Sequence, residues 1–163
     1  MDKNYTATIE VAKSPQEVFN CLTEVTKWWS KDFEGYSAKL NDEFVIHHPG
    51  QHYSKQNLIE FIPNLSIVWL VTESRLYWLT NDQQEWTDTK MNFGISHRGN
   101  KTSIHFTHEG LTPDKECYEM CAQGWNIVFK NWLFYYLTTR EPCPEMEKAA
   151  EIRNRLLQRR EKL

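Results

Sequence analysis

Basic residues are in short supply. Lys and Arg number 19 against 22 Asp and Glu, for a formal net charge of -3 and an isoelectric point near 6.1. Readers of nucleic acid need a basic surplus because phosphate contacts dominate their affinity, so this balance argues against that class. No apolar run approaches the roughly 18 residues of a membrane-spanning helix. The start, MDKNYTATIEV, has neither the basic cluster nor the apolar stretch of a secretory leader. Glycine is scarce, 6 in 163 residues, and none builds a phosphate-cradling loop. No serine sits in a nucleophile motif. Four cysteines without an export signal read as reduced thiols, and the expected location is the cytoplasm.

What the chain has in quantity is aromatic residues: 7 Trp, 7 Tyr and 8 Phe, or 13%. So many large rings imply either a bulky core or the walls of a cavity. At 163 residues the chain suits one domain and buries enough surface to fold without metal or disulfide staples.

Tyr5–Val11 alternates apolar and polar residues with a period of two, the mark of a half-buried strand. Ser14-Pro15 then opens a helix, with Ser at the N-cap, Pro at the first helical position and Glu17 at capping-box spacing. Val25–Trp29 is a second short helical stretch or a turn. Strands follow at Phe44–His48, Tyr53–Ile62, Ser66–Thr72 and, more weakly, Arg75–Leu79. Thr87–His97 and Thr102–Glu109 read as a hairpin whose Met91, Phe93 and Ile95 face Ile104 and Phe106.

The last long helix is expected from Lys115 to about Thr138, with Met120, Gln123 or Gly124, Ile127, Val128, Asn131 and Tyr135 recurring at helical steps. Gly124 costs that helix ~1 kcal/mol relative to Ala, so its expected use is a close pass of the backbone to a strand or ligand. Glu145–Leu163 reads as a surface helix, packed on the domain or on a second subunit, with Ala149, Ile152, Leu156 and Leu163 at heptad-like spacing. Residues 1–142 are thus expected to form the domain and 143–163 an amphipathic helical extension. Strands grouped between helices imply α+β with an antiparallel sheet, wrapped on the aromatic helix.

Three sets of residues are candidates for chemistry. His47, His48 and His52 contain metal-ligand types, but neighbours on a strand point to opposite faces and no acidic residue or cysteine completes the cluster. No metal site and no cofactor is expected. Cys117 and Cys121 lie one helical turn apart and read as small buried hydrophobes. His108 shares a face with Ile104 and Phe106, so it points inward, as a polar contact for a ligand or a hydrogen-bonded core residue. Trp28 and Trp29 fall near the expected cavity mouth.

The opening Ser14-Pro15-Gln16-Glu17-Val18-Phe19, the proline-ended LIEFIP of Leu58–Pro63 followed by SIVWLV, and the stretch HEGLTPDKECYEMCAQGWNIVFKNWLFYYLTT carry a resemblance. They resemble the START-like superfamily, also called SRPBCC or Bet v 1-like, in the branch named after the activator of heat-shock protein 90 ATPase. The Gly124-Trp125 pair in the long helix is its specific part, and the resemblance covers about residues 4–142. It implies a helix-grip fold, a curved antiparallel sheet around a long C-terminal helix with two short helices after the first strand. In many members it also implies a hydrophobic cavity for lipids, sterols, polyketides or other small apolar molecules.

The leading expectation is therefore non-catalytic binding of a small hydrophobic molecule or lipid between sheet and helix. The expected contacts are Trp69, Phe93, Phe106, Trp125 and Phe129 as walls and His108 as the polar contact, with no catalytic residue assigned. The resemblance implies two alternatives. One is a chaperone-associated stress-response module acting through protein contacts. The other is a cyclase- or hydrolase-type enzyme using the cavity. The chain is expected as a monomer, or as a homodimer through its C-terminal helix.

Overall fold

The computed structural model describes residues 3–161. Strand β1 (Tyr5–Val11) is followed by helices α1 (Pro15–Thr23) and α2 (Val25–Trp28), then by strands β2 (Phe33–Gly35), β3 (Glu43–His48), β4 (His52–Ile62), β5 (Ser66–Leu76), β6 (Lys90–Arg98) and β7 (Lys101–Glu109). They form one seven-stranded antiparallel sheet in the order β1-β7-β6-β5-β4-β3-β2. The fold is α+β, as expected, and the C-terminal helical rod packs across the sheet.

Local chemistry explains the elements. The Ser14 side chain accepts the Glu17 amide at 3.1 Å, which caps α1, a contact worth ~1 kcal/mol. Phe93 lies opposite Phe106 and Ile95 opposite Ile104, so the β6–β7 hairpin has the expected register. β5 differs from expectation. It runs unbroken to Leu76 through what reads as two strands, because Thr72 is an unpaired extra residue between Val71 and Glu73. The bulge resets the alternation, leaving Thr72 and Glu73 both exposed, which imitates a strand end. β2 is a short edge strand with no expected counterpart. Gly35 within it has φ +104°, and a Cβ there would lie 2.2 Å from the Glu43 carbonyl oxygen.

The long helix is built in three pieces: α3 (Tyr118–Ile127), a π-helical segment (Val128–Leu133) and α4 (Phe134–Thr139), closed by Arg140 with φ +64°. The residues expected to recur at helical steps are not the buried row. Met120, Gln123, Ile127 and Asn131 point outward, whereas Cys117, Cys121, Trp125, Phe129, Leu133 and Leu137 are buried. The buried row steps by four. A straight α-helix drifts about 40° per such step, and the wider π turn returns the row to the sheet.

Helix α5 (Pro144–Glu161) packs on the domain through buried Met146, a Lys31–Glu147 ion pair and an Arg153–Asp32 pair. Of its expected heptad row, Ile152 and Leu156 are exposed and Leu163 lies outside the described residues. Among the described residues no helix is long and apolar enough to cross a membrane.

Candidate functional site

At one end of the space between sheet and α3 the packing opens into a cleft of about 220 Å³. The turn His48-Pro49-Gly50-Gln51-His52 joins β3 to β4 and makes His48 and His52 a cross-strand pair, so both reach the same cleft. Leu76 closes the end of β5, and Trp29 follows α2. Trp86 arrives from the turn-rich segment between β5 and β6. The α3 side contributes Cys121, Gly124 and Trp125. Trp78 and Met120 stand at the mouth, 41% and 62% exposed.

Two tryptophans form the inner wall, Trp86 and Trp125, stacked 8° from parallel with centroids 6.0 Å apart. His108 holds them. The Trp125 indole N–H donates to His108 Nδ1 at 3.0 Å, and His108 Nε2 lies 2.9 Å from Thr89 Oγ1. That hydroxyl donates its own proton to the Trp86 carbonyl at 2.6 Å, so Nε2 must carry the imidazole proton. Both ring nitrogens are therefore committed to the protein. Burial, with Lys115 adding to it, pushes the His108 pKa down to about 3, and the ring stays neutral. Gly110, with φ +96°, leaves room for this arrangement, since a Cβ there would lie 2.7 Å from Thr89 Cγ2.

The second polar element is the histidine pair. His48 Nε2 meets Ser30 Oγ at 2.8 Å, and His52 Nε2 meets Ser54 Oγ at 2.7 Å. Burial, reinforced by Arg153, lowers the His48 pKa to about 4. Burial, reinforced by His48 and His47, lowers that of His52 to about 3. Near neutral pH the cleft thus offers uncharged polar groups on an aromatic surface. Among the described residues no group of three His, Cys, Asp or Glu side chains could hold a metal ion.

The residues expected as walls occupy two different places. Trp125 lines the cleft. Trp69, Phe93, Phe106 and Phe129 are at most 1% exposed and pack on one another. Phe93 stacks on Phe106 at 4.8 Å, Phe106 on Phe129 at 5.1 Å, and Trp69 meets Phe93 edge-on at 4.7 Å. They fill the centre and back the inner wall. His108 also stands behind that wall, where it orients the rings rather than presenting a free nitrogen. Of the two uses expected for Gly124, a close pass to a strand is not what the structure has: a Cβ there would meet nothing within 4 Å, and the residue opens on the cleft.

Sequence reasoning missed Trp86, Leu76 and the His48–His52 pairing. Trp86 sits in a polar stretch without periodicity. The histidine pair was legible in principle, since a Pro-Gly turn between residues four apart brings them together across a hairpin.

A curved antiparallel sheet gripping a long helix, with an aromatic cleft between them, defines the START-like class. The family match is specific: residues 12–136 match the Activator of Hsp90 ATPase homolog 1-like proteins, and the chain belongs to that family. Solved structures agree on the fold. The Aha1 dimer of Colwellia psychrerythraea is 21% identical with a TM-score of 0.63, over 78% of this chain and 90% of that one. A protein from Mesorhizobium loti is 16% identical with a TM-score of 0.64, over 83% and 97%. CalU16 from Micromonospora echinospora is 14% identical with a TM-score of 0.59, over 91% and 81%. No curated protein matches the chain.

Proposed function

We infer that the protein binds a small, uncharged molecule that is mostly apolar with one polar end, and holds it in the cleft between the sheet and α3. The observation that carries this reading is Gly124, a helix-interior glycine that makes room for no protein atom and opens on an aromatic cavity. Keeping it sacrifices ~1 kcal/mol of helix stability, which cavity space for a ligand explains. At about 220 Å³ the cleft is below the ~300–1,000 Å³ of drug-sized sites, which favours a compact ligand. The neutral histidines favour a hydroxyl or carbonyl end, which can hydrogen-bond to an uncharged imidazole.

Trp29, Trp86 and Trp125 are the proposed walls, with Phe106 and Phe129 supporting them from behind and His108 positioning Trp125. Four free cysteines support a reducing compartment such as the cytoplasm. Mass spectrometry of the intact protein under native conditions, paired with a solvent extract, tests the reading. A stoichiometric apolar adduct supports it. An empty cleft that also fails to take up 1-naphthol contradicts it.

A second reading follows from the family itself: a chaperone-associated role through protein contacts. The exposed Trp78 and Met120 at the cleft mouth favour it, because apolar groups in that position suit a partner surface. The Colwellia relative is a dimer, and α5 with exposed Ile152 and Leu156 is the surface through which this chain would pair. Light scattering on the chain with and without residues 143–163 tests that role of the tail. An unchanged number of subunits removes it.

A further inference from the structure

The inner face of β4 is polar where a filled core would be apolar. By alternation His52, Ser54, Gln56 and Leu58 share that face, and all but His52 are fully buried. His52 lines the cleft, so the row runs from the cleft floor toward the centre of the sheet. Its first two members satisfy each other, with His52 Nε2 at 2.7 Å from Ser54 Oγ. Ser74, opposite Ser54 on β5, is also buried and meets Thr87 Oγ1 at 2.8 Å.

Gln56 has no such outlet. Neither its Oε1 nor its Nε2 has a hydrogen-bond partner among the described residues. Its cross-strand neighbours, Phe44 on β3 and Val71 on β5, are apolar and buried. An unpaired carboxamide in such a place is costly, and a leucine would avoid the cost.

One ring separates this amide from the open space. Trp29 packs on Phe44 at 6.4 Å, on His52 at 6.2 Å and on Trp69 at 5.8 Å. Those three rings surround Gln56: Phe44 opposite it, His52 along its own strand and Trp69 diagonal to it on β5. Trp29 also lines the cleft and follows the four-residue helix α2. A flat bicycle of indole size, stacked on Trp69 where Trp29 turns aside, spans from the cleft floor to the amide.

We propose that Gln56 anchors the polar end of the ligand and selects a lactam or similar amide edge, an N–H beside a C=O. The inference rests on the cleft being a ligand site and adds what its ligand carries. A carboxamide presents a donor and an acceptor side by side in one plane. Against it, the ligand N–H donates to Oε1 while Nε2 donates to the ligand carbonyl, so both unpaired atoms are satisfied together. A lone hydroxyl leaves one of them unpaired.

The test titrates the full chain calorimetrically with three molecules of one shape: isoquinolin-1(2H)-one, its N-methyl derivative and 1-naphthol. N-methylation removes the donor and sets a methyl group against Oε1. The lactam should bind about thirtyfold more tightly than its N-methyl derivative, the effect of two hydrogen bonds to groups otherwise unpaired. In Gln56→Met, which keeps the side chain's length, that advantage should vanish. On the parent chain, the Gln56 side-chain NH2 resonances should move downfield with the lactam, a readout that stands whatever the variant's fold.

Equal affinity of the parent for the lactam and its N-methyl derivative overturns the proposal. So does a lactam advantage that survives Gln56→Met, or Gln56 resonances unmoved at saturating lactam. Binding of 1-naphthol to the parent separates the two failures. A chain that binds 1-naphthol without preferring the lactam keeps the cleft and loses the Gln56 anchor. A chain that binds none of the three loses both.

Discussion

The two ends of the space between sheet and helix use the same kinds of residue to opposite effect. At the centre, Trp28, Trp69, Phe93, Phe106 and Phe129 interlock at centroid distances of 4.7 to 6.5 Å and are at most 1% exposed. At the open end, Trp29, Trp86 and Trp125 are equally aromatic, but a glycine replaces a side chain on the helix and neutral histidines replace aliphatic residues on the sheet. Aromatic content therefore does not make a cavity. What opens one is the omission of a side chain where the rings would otherwise meet, and rings held by specific hydrogen bonds so that they do not collapse into the gap.

The sharpest way to separate the two ends is to truncate a ring in each. Phe106→Ala should cost about 3–5 kcal/mol, read as a lower denaturation midpoint, because the void among Phe93, Trp125 and Phe129 is walled by packed rings. Trp78→Ala at the cleft mouth should leave that midpoint nearly unchanged, since the side chain is already substantially exposed. Equal losses at the two positions would erase the distinction.

Acid should act next, through the cleft end. His52 and His108 are held near pKa 3 and His48 near 4, whereas an unfolded histidine titrates near 6.5. As pH falls below about 6.5 the unfolded chain binds protons that the folded chain refuses. Stability is thus complete above that pH and drains progressively down to about pH 3, at up to ~1.4 kcal/mol per pH unit for each histidine. Chemical denaturation between pH 7 and 4 should show this slope. His108→Gln should remove about one proton from it.

Much of the frame was legible in the residues. Period-two alternation marked β1, β6 and β7, the Ser14-Pro15-Glu17 cap marked α1, and the Gly124-Trp125 pair marked the family. The site was less legible for physical reasons. A bulge at Thr72 disguised β5 as two strands and displaced the end that carries Leu76. Trp86 lies in a segment with no regular structure to give it a period. The long helix buries every fourth residue, a row that its π segment keeps facing the sheet, so the residues that recur at ordinary helical steps are mostly the exposed ones. Alternation along β7 places His108 inward, and it is buried there. Its role depends on which nitrogen carries the proton, and that follows from Thr89 and Trp86 rather than from spacing.

A smaller effect sharpens the comparison further. Lys31→Ala, which removes the exposed ion pair to Glu147 on α5, should shift stability by no more than about 1 kcal/mol and leave the cleft untouched. A large change in 1-naphthol affinity in that variant would tie the tail to the cleft and blur the boundary between packed and open regions.

The most direct measurement is calorimetric titration of 1-naphthol into the parent and into Gly124→Ala and Gly124→Leu, alongside their denaturation midpoints. If the open end exists to hold a ligand, both variants should fold at least as stably as the parent, with Ala gaining up to ~1 kcal/mol. Affinity should fall with Ala and vanish with Leu, as side chain fills the space now open in front of Trp86 and Trp125. Parent-like affinity in a well-folded Gly124→Leu would contradict the account, because the molecule would then be bound somewhere other than the cleft that Gly124 keeps open.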